Sequence, residues 1–408
     1  MNTESPLFAR QPIFDRNNNV VAYELLFRHS DANYAKYVDG DHASSHVLLN
    51  VFGSQSLEHV LGDKKAFINY TRNLLISPPP LPQKQIVIEV LEDIEADEKI
   101  IAGLKKLKED GYEIALDDFF LNRDTKKMLR YADIIKVDVL AVAGKRLEKY
   151  VEILKPLNLK LLAEKIEDYS MLETCKALGF DYFQGYFLCK PEIIRGARVT
   201  ASRQSALRLI ATLNDVDVVY EKLVETISTD PGLSYKILKL VNSPAIGVTT
   251  KIESLAQAVT LLGLNQIKNW ATFLLMASSD DKPKELCVIT MCRAKLCELA
   301  GRAIGNADFG QSCFTIGLLS NLDSFLNMNL SDLVAQLKLS EKVENALLNK
   351  LGDEGQLLFN VCLYERGNWA EVDWEYLASK NILPEQMNEW YMQSISWAIN
   401  LVQSTQTR

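Results

Sequence analysis

Acidic residues close one apolar run after another in the first half of this 408-residue chain: Val20-Val21-Ala22-Tyr23-Glu24, Ile86-Val87-Ile88-Glu89, Glu113-Ile114-Ala115-Leu116-Asp117-Asp118, Asp133-Ile134-Ile135-Lys136-Val137-Asp138 and Leu161-Leu162-Ala163-Glu164. Carboxylate oxygens are preferred ligands of hard divalent cations, and a metal-assisted hydrolase would place its ligands at such positions. One carboxylate at a strand end means little. This many, spaced along alternating strand and helix patterns, ask for a shared centre.

The elements that must position these residues follow from the same runs. Leu7 to Phe14 reaches a turn at Asp15-Arg16-Asn17-Asn18-Asn19, and the chain returns from Val20 to Phe27. A helical pattern covers residues 43–61, the run Ala66-Phe67-Ile68-Asn69 follows, and Pro78-Pro79-Pro80 with Pro82 ends the next helix. Proline does so because it lacks an amide donor and clashes with the preceding turn. Further on come a strand over 86–90, a helix over about 96–110, a break at Gly111, strands over 134–137 and 159–163, a helix over 169–178 and a last strand over 182–188. Repeated βα units predict a parallel sheet, and seven or eight strands predict a closed α/β barrel of the TIM type. Such barrels carry their chemistry at the C-terminal strand ends, where the acidic residues lie.

Beyond Pro191 the apolar spacing is helical nearly throughout, as in Val218, Val219, Tyr220, Leu223, Val224 and Ile227, or Leu255, Ala258, Val259, Leu261 and Leu262 with Gly263 as a stop. The expected organisation is a barrel domain over residues 1–194 and an all-α domain over 195–408.

Composition excludes several classes of function. A net charge of -8 argues against a chain that wraps a nucleic-acid polymer, since phosphate binding is driven by lysine and arginine. The start Met1-Asn2-Thr3-Glu4-Ser5-Pro6 lacks the basic and apolar segments of a signal peptide, and no apolar run is long enough to cross a bilayer, so a cytoplasmic protein without a membrane partner is expected. Seven cysteines with no C-x-x-C pair fit reduced, buried thiols. The four histidines, His29, His42, His46 and His59, read as surface or satisfied polar residues, and Trp369, Trp374, Trp390 and Tyr391 as core or interface.

Between residues 7 and 191 short motifs stand in a fixed order: Gln11-Pro12-Ile13, Tyr23-Glu24-Leu25-Leu26-Phe27-Arg28, Asn69, Glu89 with Glu92, Asp117-Asp118-Phe119, Lys136 with Asp138, Ala163-Glu164-Lys165-Ile166-Glu167, and Gln184-Gly185-Tyr186. As an ordered set they resemble the EAL family of cyclic di-GMP phosphodiesterases. The resemblance implies that Glu24, Asn69, Glu89 and Asp117 ligate a first divalent cation, Mg²⁺ or Mn²⁺, and that Asp118 helps hold a second with Asp117 bridging. It implies further that Glu164 is a metal ligand or general base and that Lys136 orients the attacking water. Gln11 and Gln184 would line the site, Arg28 would meet a substrate phosphate through paired hydrogen bonds, and Glu92 and Glu167 would support the adjoining loops. Two cations roughly 3.5 to 4 Å apart neutralise charge on both the attacking and the leaving oxygen of a phosphodiester.

The chain also departs from that pattern. Where the family reads Asp-Asp-Phe-Gly-x-Gly-x-Ser-Ser, this chain has Asp117-Asp118-Phe119-Phe120-Leu121-Asn122-Arg123-Asp124-Thr125, without the glycines and paired serines of a loop that shapes the site and the dimer contact. Leu25 stands for the usual Ala, Leu91 for Thr and Lys165 for Gly. Misplacing a site by about 1 Å can cost a hundredfold in rate.

Residues 200 to 400 resemble the HDOD family, most specifically in Asp230-Pro231-Gly232-Leu233-Ser234-Tyr235-Lys236-Ile237-Leu238-Lys239-Leu240-Val241-Asn242-Ser243. That fold is related to the HD metal-dependent phosphohydrolases, but the segment Gly317-Leu318-Leu319-Ser320-Asn321-Leu322 carries Ser and Asn where an HD enzyme places His-Asp. No HD-type metal centre is expected. The two resemblances together imply a cyclic di-GMP signalling protein, with hydrolysis to the linear dinucleotide in the barrel and a protein partner, or a homodimer contact, served by the rest of the chain. Its expected output is control of motility or biofilm formation. The alternative is an inactive receptor or scaffold that binds cyclic di-GMP or a protein.

Overall fold

The structure is a computed structural model that describes residues 7–28, 60–117, 125–142, 144–192, 201–215, 217–248, 250–278 and 282–406. Apart from helical Val60 and Leu61, the helix expected over 43–61 lies outside these residues, as do Asp118, the loop through Asp124 and all four histidines.

Eight strands close into one barrel in sequence order: Leu7–Phe14 (β1), Val20–Arg28 (β2), Lys65–Tyr70 (β3), Ile86–Val90 (β4), Glu113–Leu116 (β5), Ile134–Asp138 (β6), Lys160–Ile166 (β7) and Tyr182–Gly185 (β8). From β2 to β8 each strand is parallel to the next. β1 runs antiparallel to both β2 and β8, so the turn expected at residues 15–19 and the return from Val20 form a hairpin. The cause is local. The Asp15 carboxylate accepts hydrogen bonds from the amides of Asn17 and Asn19, each 2.8 Å long, and fastens a turn too short for the crossover that a parallel pair requires.

One correction falls at β8. The apolar run over 182–188 is strand only to Gly185, and Tyr186–Cys189 continues as a short 3₁₀ turn. Gly185 has φ +152°, and a Cβ there would lie 2.1 Å from the carbonyl oxygen of Ile166. Only glycine lets β8 press this closely on β7.

Inside the barrel Ile13, Ala22, Phe67, Val87, Ala115, Ile134 and Leu162 form a buried apolar layer, with Tyr182 packed against it. Two of the barrel's helices begin at aspartate caps. Asp97 accepts from the amide of Ile100 at 3.0 Å to start Glu98–Glu109, and Asp168 accepts from that of Met171 at 2.8 Å to start Tyr169–Leu178. Such a cap stabilises its helix by about 1 kcal/mol.

The chain divides into two compact units, residues 1–188 and 189–408. The second is helical from Ala201–Asn214 to Pro384–Gln406. Asp230 caps Pro231–Val241, with proline at the position that needs no amide donor, and Leu255–Leu262 stops at Gly263. The long helix Lys284–Ile304 is mostly buried, and a Cβ on Gly317 would come within 2.8 Å of Ala294 Cα, so glycine permits the close approach of Ala307–Leu319. Trp270, Phe314 and Trp397 pack ring against ring, as do Trp369, Trp374 and Tyr391 around Tyr364. All seven cysteines are free thiols, and five are buried. Among the described residues no helix is long and apolar enough to cross a membrane.

Candidate functional site

Side chains two residues apart on a strand face the same side. Two steps from the apolar layer toward the C-terminal ends of the parallel strands, Ala22 leads to Glu24, Phe67 to Asn69, Val87 to Glu89, Ala115 to Asp117, Ile134 to Lys136, Leu162 to Glu164 and Tyr182 to Gln184. On the antiparallel β1 the same step runs backward, from Ile13 to Gln11, which stands in register with Glu24. The barrel interior therefore changes in one layer from wholly apolar to wholly polar.

At the centre of this second layer lies the ammonium of Lys136, 1% exposed. Its Nζ is 2.7 Å from a carboxylate oxygen of Glu89, 2.8 Å from Glu164, 3.0 Å from Asp117 and 3.3 Å from Glu24. Gln184 Nε2 donates to Glu24 Oε2 at 2.7 Å and to Gln11 Oε1 at 3.0 Å, which holds the Glu24 carboxylate toward the centre. One positive charge thus faces four formal negative charges in a buried space. Burial alone would push Lys136 down, but the surrounding Glu164, Glu24, Glu89 and Asp117 hold it well above its usual range. Burial, with Glu24 and Asp117 nearby, pushes Glu89 well up against the pull of Lys136. Burial also lifts Glu164 to about 8, opposed by Lys136 and aided by Asp117 and Glu24. Protons offset the excess negative charge that one ammonium leaves.

The donor set suits a hard divalent cation, since it is made of oxygen and includes acceptors that nothing satisfies. Asn69 Oδ1 and Glu89 Oε2 are buried without a hydrogen-bond donor, and Glu89 Oε1 meets the Lys136 ammonium at 2.7 Å. Among the described residues no group of three or more His, Cys, Asp or Glu stands ready to hold a metal ion as it is. Lys136 Nζ fills the point on which the carboxylates converge.

The structure thus brings together Gln11, Glu24, Glu89, Asp117, Lys136, Glu164 and Gln184, with Asn69 beside Glu89 in the β3–β4 register. Glu92 and Glu167 lie exposed just past the ends of β4 and β7. Arg28 ends β2, but its side chain lies outside the described part, as does Asp118 entirely. Two features escaped the sequence reading. The central place of Lys136 could have been found by counting in twos along each strand. The pairing of Lys165 Nζ with Asp138 Oδ2, at 2.5 Å, had as its only signal a lysine where glycine is usual.

In the helical unit Ser320 and Asn321 are bound to an arginine. Arg293, 3% exposed, donates through Nη1 to Ser320 Oγ at 2.9 Å and to Asn321 Oδ1 at 2.6 Å, and pairs through Nε and Nη2 with the Glu365 carboxylate. Asn321 Nδ2 in turn donates to Thr290 Oγ1 at 2.9 Å. The guanidinium's planar fork ties three helices into a buried polar network.

A family model described as an EAL domain matches residues 46–191, and one described as an HDOD domain matches residues 201–354. The EAL match begins after β1 and β2, so Gln11, Glu24 and Arg28 precede it. The chain is 35% identical over 405 residues to the uncharacterized protein YuxH of Bacillus subtilis, covering 97% of this chain and 98% of that one. It is 32% identical over 372 residues to the cyclic di-GMP phosphodiesterase CdgJ of Vibrio cholerae, covering 90% and 86%. Among solved structures, a standalone EAL protein from Vibrio cholerae in its c-di-GMP-bound form is 24% identical, covering 46% of this chain and 92% of that one at a TM-score of 0.37.

Proposed function

This chain belongs to the two-domain EAL–HDOD family, and we propose that its barrel hydrolyses cyclic di-GMP to the linear dinucleotide while its helical domain passes the state of the barrel to a protein partner. The observation that carries this reading is the convergence of Glu24, Glu89, Asp117 and Glu164, from different strands, on one buried point at the C-terminal end of the barrel. The relative CdgJ, described as a cyclic di-GMP phosphodiesterase, supports it.

Glu24, Asn69, Glu89 and Asp117 would hold a first divalent cation, Mg²⁺ or Mn²⁺, and Asp118 with Asp117 a second. Such cations, when bound, act as Lewis acids and offset the charge that grows on the attacking and leaving oxygens. Glu164 takes the proton of the attacking water. It faces the same centre as the ligand carboxylates, 2.8 Å from Lys136 Nζ. Lys136 moves off the carboxylates and orients that water. Gln184 and Gln11 keep Glu24 aimed inward, and Arg28 binds a substrate phosphate.

The test is turnover by the purified full chain. Linear dinucleotide should form with Mg²⁺ or Mn²⁺ and stop in EDTA, and a protein inactive with both metals contradicts the reading. A second reading, a receptor that binds without hydrolysis, is favoured by the ammonium seated at the centre of the carboxylates. Binding of cyclic di-GMP without product would support it.

A further inference from the structure

Lys165 holds a backbone conformation that glycine adopts far more readily. Six non-glycine residues among those described have positive φ; four are asparagines, and Lys350 closes a helix. Lys165, at φ +57°, instead sits inside strand β7, where the pairing with β8 slips between Ala163 and Ile166. A side chain is kept in such a strained position only where the surroundings hold it there, and such residues cluster at functional sites.

The kink also redirects the side chain. In a regular strand Lys165 would face away from the side that Glu164 faces. Instead its Nζ lies 2.5 Å from Asp138 Oδ2, and Asp138 is the β6 residue in register with Glu164, two positions past Lys136 toward the mouth of the barrel. Asp138 is itself fixed, its Oδ1 accepting from the amides of Leu140 at 2.8 Å and Ala141 at 3.0 Å. The Asp138 side chain is 13% exposed and that of Lys165 52%. An anchored carboxylate therefore holds a half-exposed ammonium above the acidic layer.

Resting on the hydrolase reading above, we propose that Lys165 binds a phosphate of the cyclic dinucleotide at the mouth of the barrel, with Asp138 as the residue that positions it. A dianionic substrate entering over four carboxylates needs a cation at the rim, and this one is already aimed and partly dehydrated. The backbone strain is retained for the sake of that charge.

The experiment is titration calorimetry of the full chain with cyclic di-GMP, together with thermal melts. Lys165→Gly should weaken binding about tenfold, the size of one charged hydrogen bond, while its melting temperature stays level or rises because glycine relaxes the positive φ. Lys165→Arg should keep most of the affinity and lessen the salt sensitivity of binding less than glycine does. A merely structural lysine would give the opposite pattern, with unchanged affinity and a lower melting temperature. Equal affinity of wild type and Lys165→Gly overturns this inference alone, whereas a wild type that binds no cyclic di-GMP overturns the hydrolase reading and this inference with it.

Discussion

Replacing Lys136 by methionine is expected to lower the melting temperature of the metal-free protein by on the order of 10 °C and to cut cyclic di-GMP turnover at least about a hundredfold. The ammonium is 1% exposed and touches four carboxylates. Removing one partner of a buried ionic group leaves its counter-charges uncompensated and typically costs about 3–5 kcal/mol. Methionine matches the length of the stem, so the loss is one of charge and not of volume. The same change takes away a cation that competes for the carboxylates. Added Mn²⁺ should therefore raise the melting temperature of Lys136→Met by more than it raises that of wild type. Circular dichroism melts in EDTA and in Mn²⁺ decide the matter, and a variant as stable as wild type in EDTA would show that Lys136 does not hold the cluster together.

The second large effect is expected from Glu164→Gln. The substitution keeps the shape of the side chain and removes the base, so turnover should fall by about 10²–10⁴ while cyclic di-GMP still binds. Stability should move the other way. The folded-state value of Glu164, about 8, lies above its ordinary 4.5, so the group stabilises the folded barrel at low pH and loses that contribution as pH rises through 8. Metal-free wild type should melt at progressively lower temperature between about pH 5 and pH 9. Glutamine imitates the protonated form, so the variant should show a shallower decline. An equal decline in the variant would mean that Glu164 is ionised throughout this range.

Much of this site was legible before any coordinates. Each acidic residue ends an apolar run, and parallel strands bring such ends to one face, so Glu24, Glu89, Asp117 and Glu164 had to be neighbours once the barrel closed. Helix limits were legible where capping chemistry is local, as with Asp230 followed by Pro231, or Gly263 after Leu262. What stayed hidden depends on contacts between distant segments. The run over 182–188 reads as one strand because its apolar pattern continues through Gly185, and the bend there arises from the backbone of Ile166 on another strand. Lys136 was visible as a residue at a strand end. Its reach to four carboxylates at once depends on the width of the barrel, a property of eight strands and not of one.

The claim on which the account turns is that the carboxylates gathered around Lys136 are the ligands of a divalent cation. Its most direct measurement is a calorimetric titration of Mn²⁺ into the metal-free full chain, run in buffers of different ionisation enthalpy so that protons released on binding are counted. Glu89 and Glu164 are both raised, so the cation must displace protons from them, and its affinity should increase with pH up to about 8. The account predicts Mn²⁺ uptake with proton release that Glu89→Gln weakens at least about tenfold. No uptake of Mn²⁺, or uptake that Glu89→Gln leaves unchanged, would contradict it.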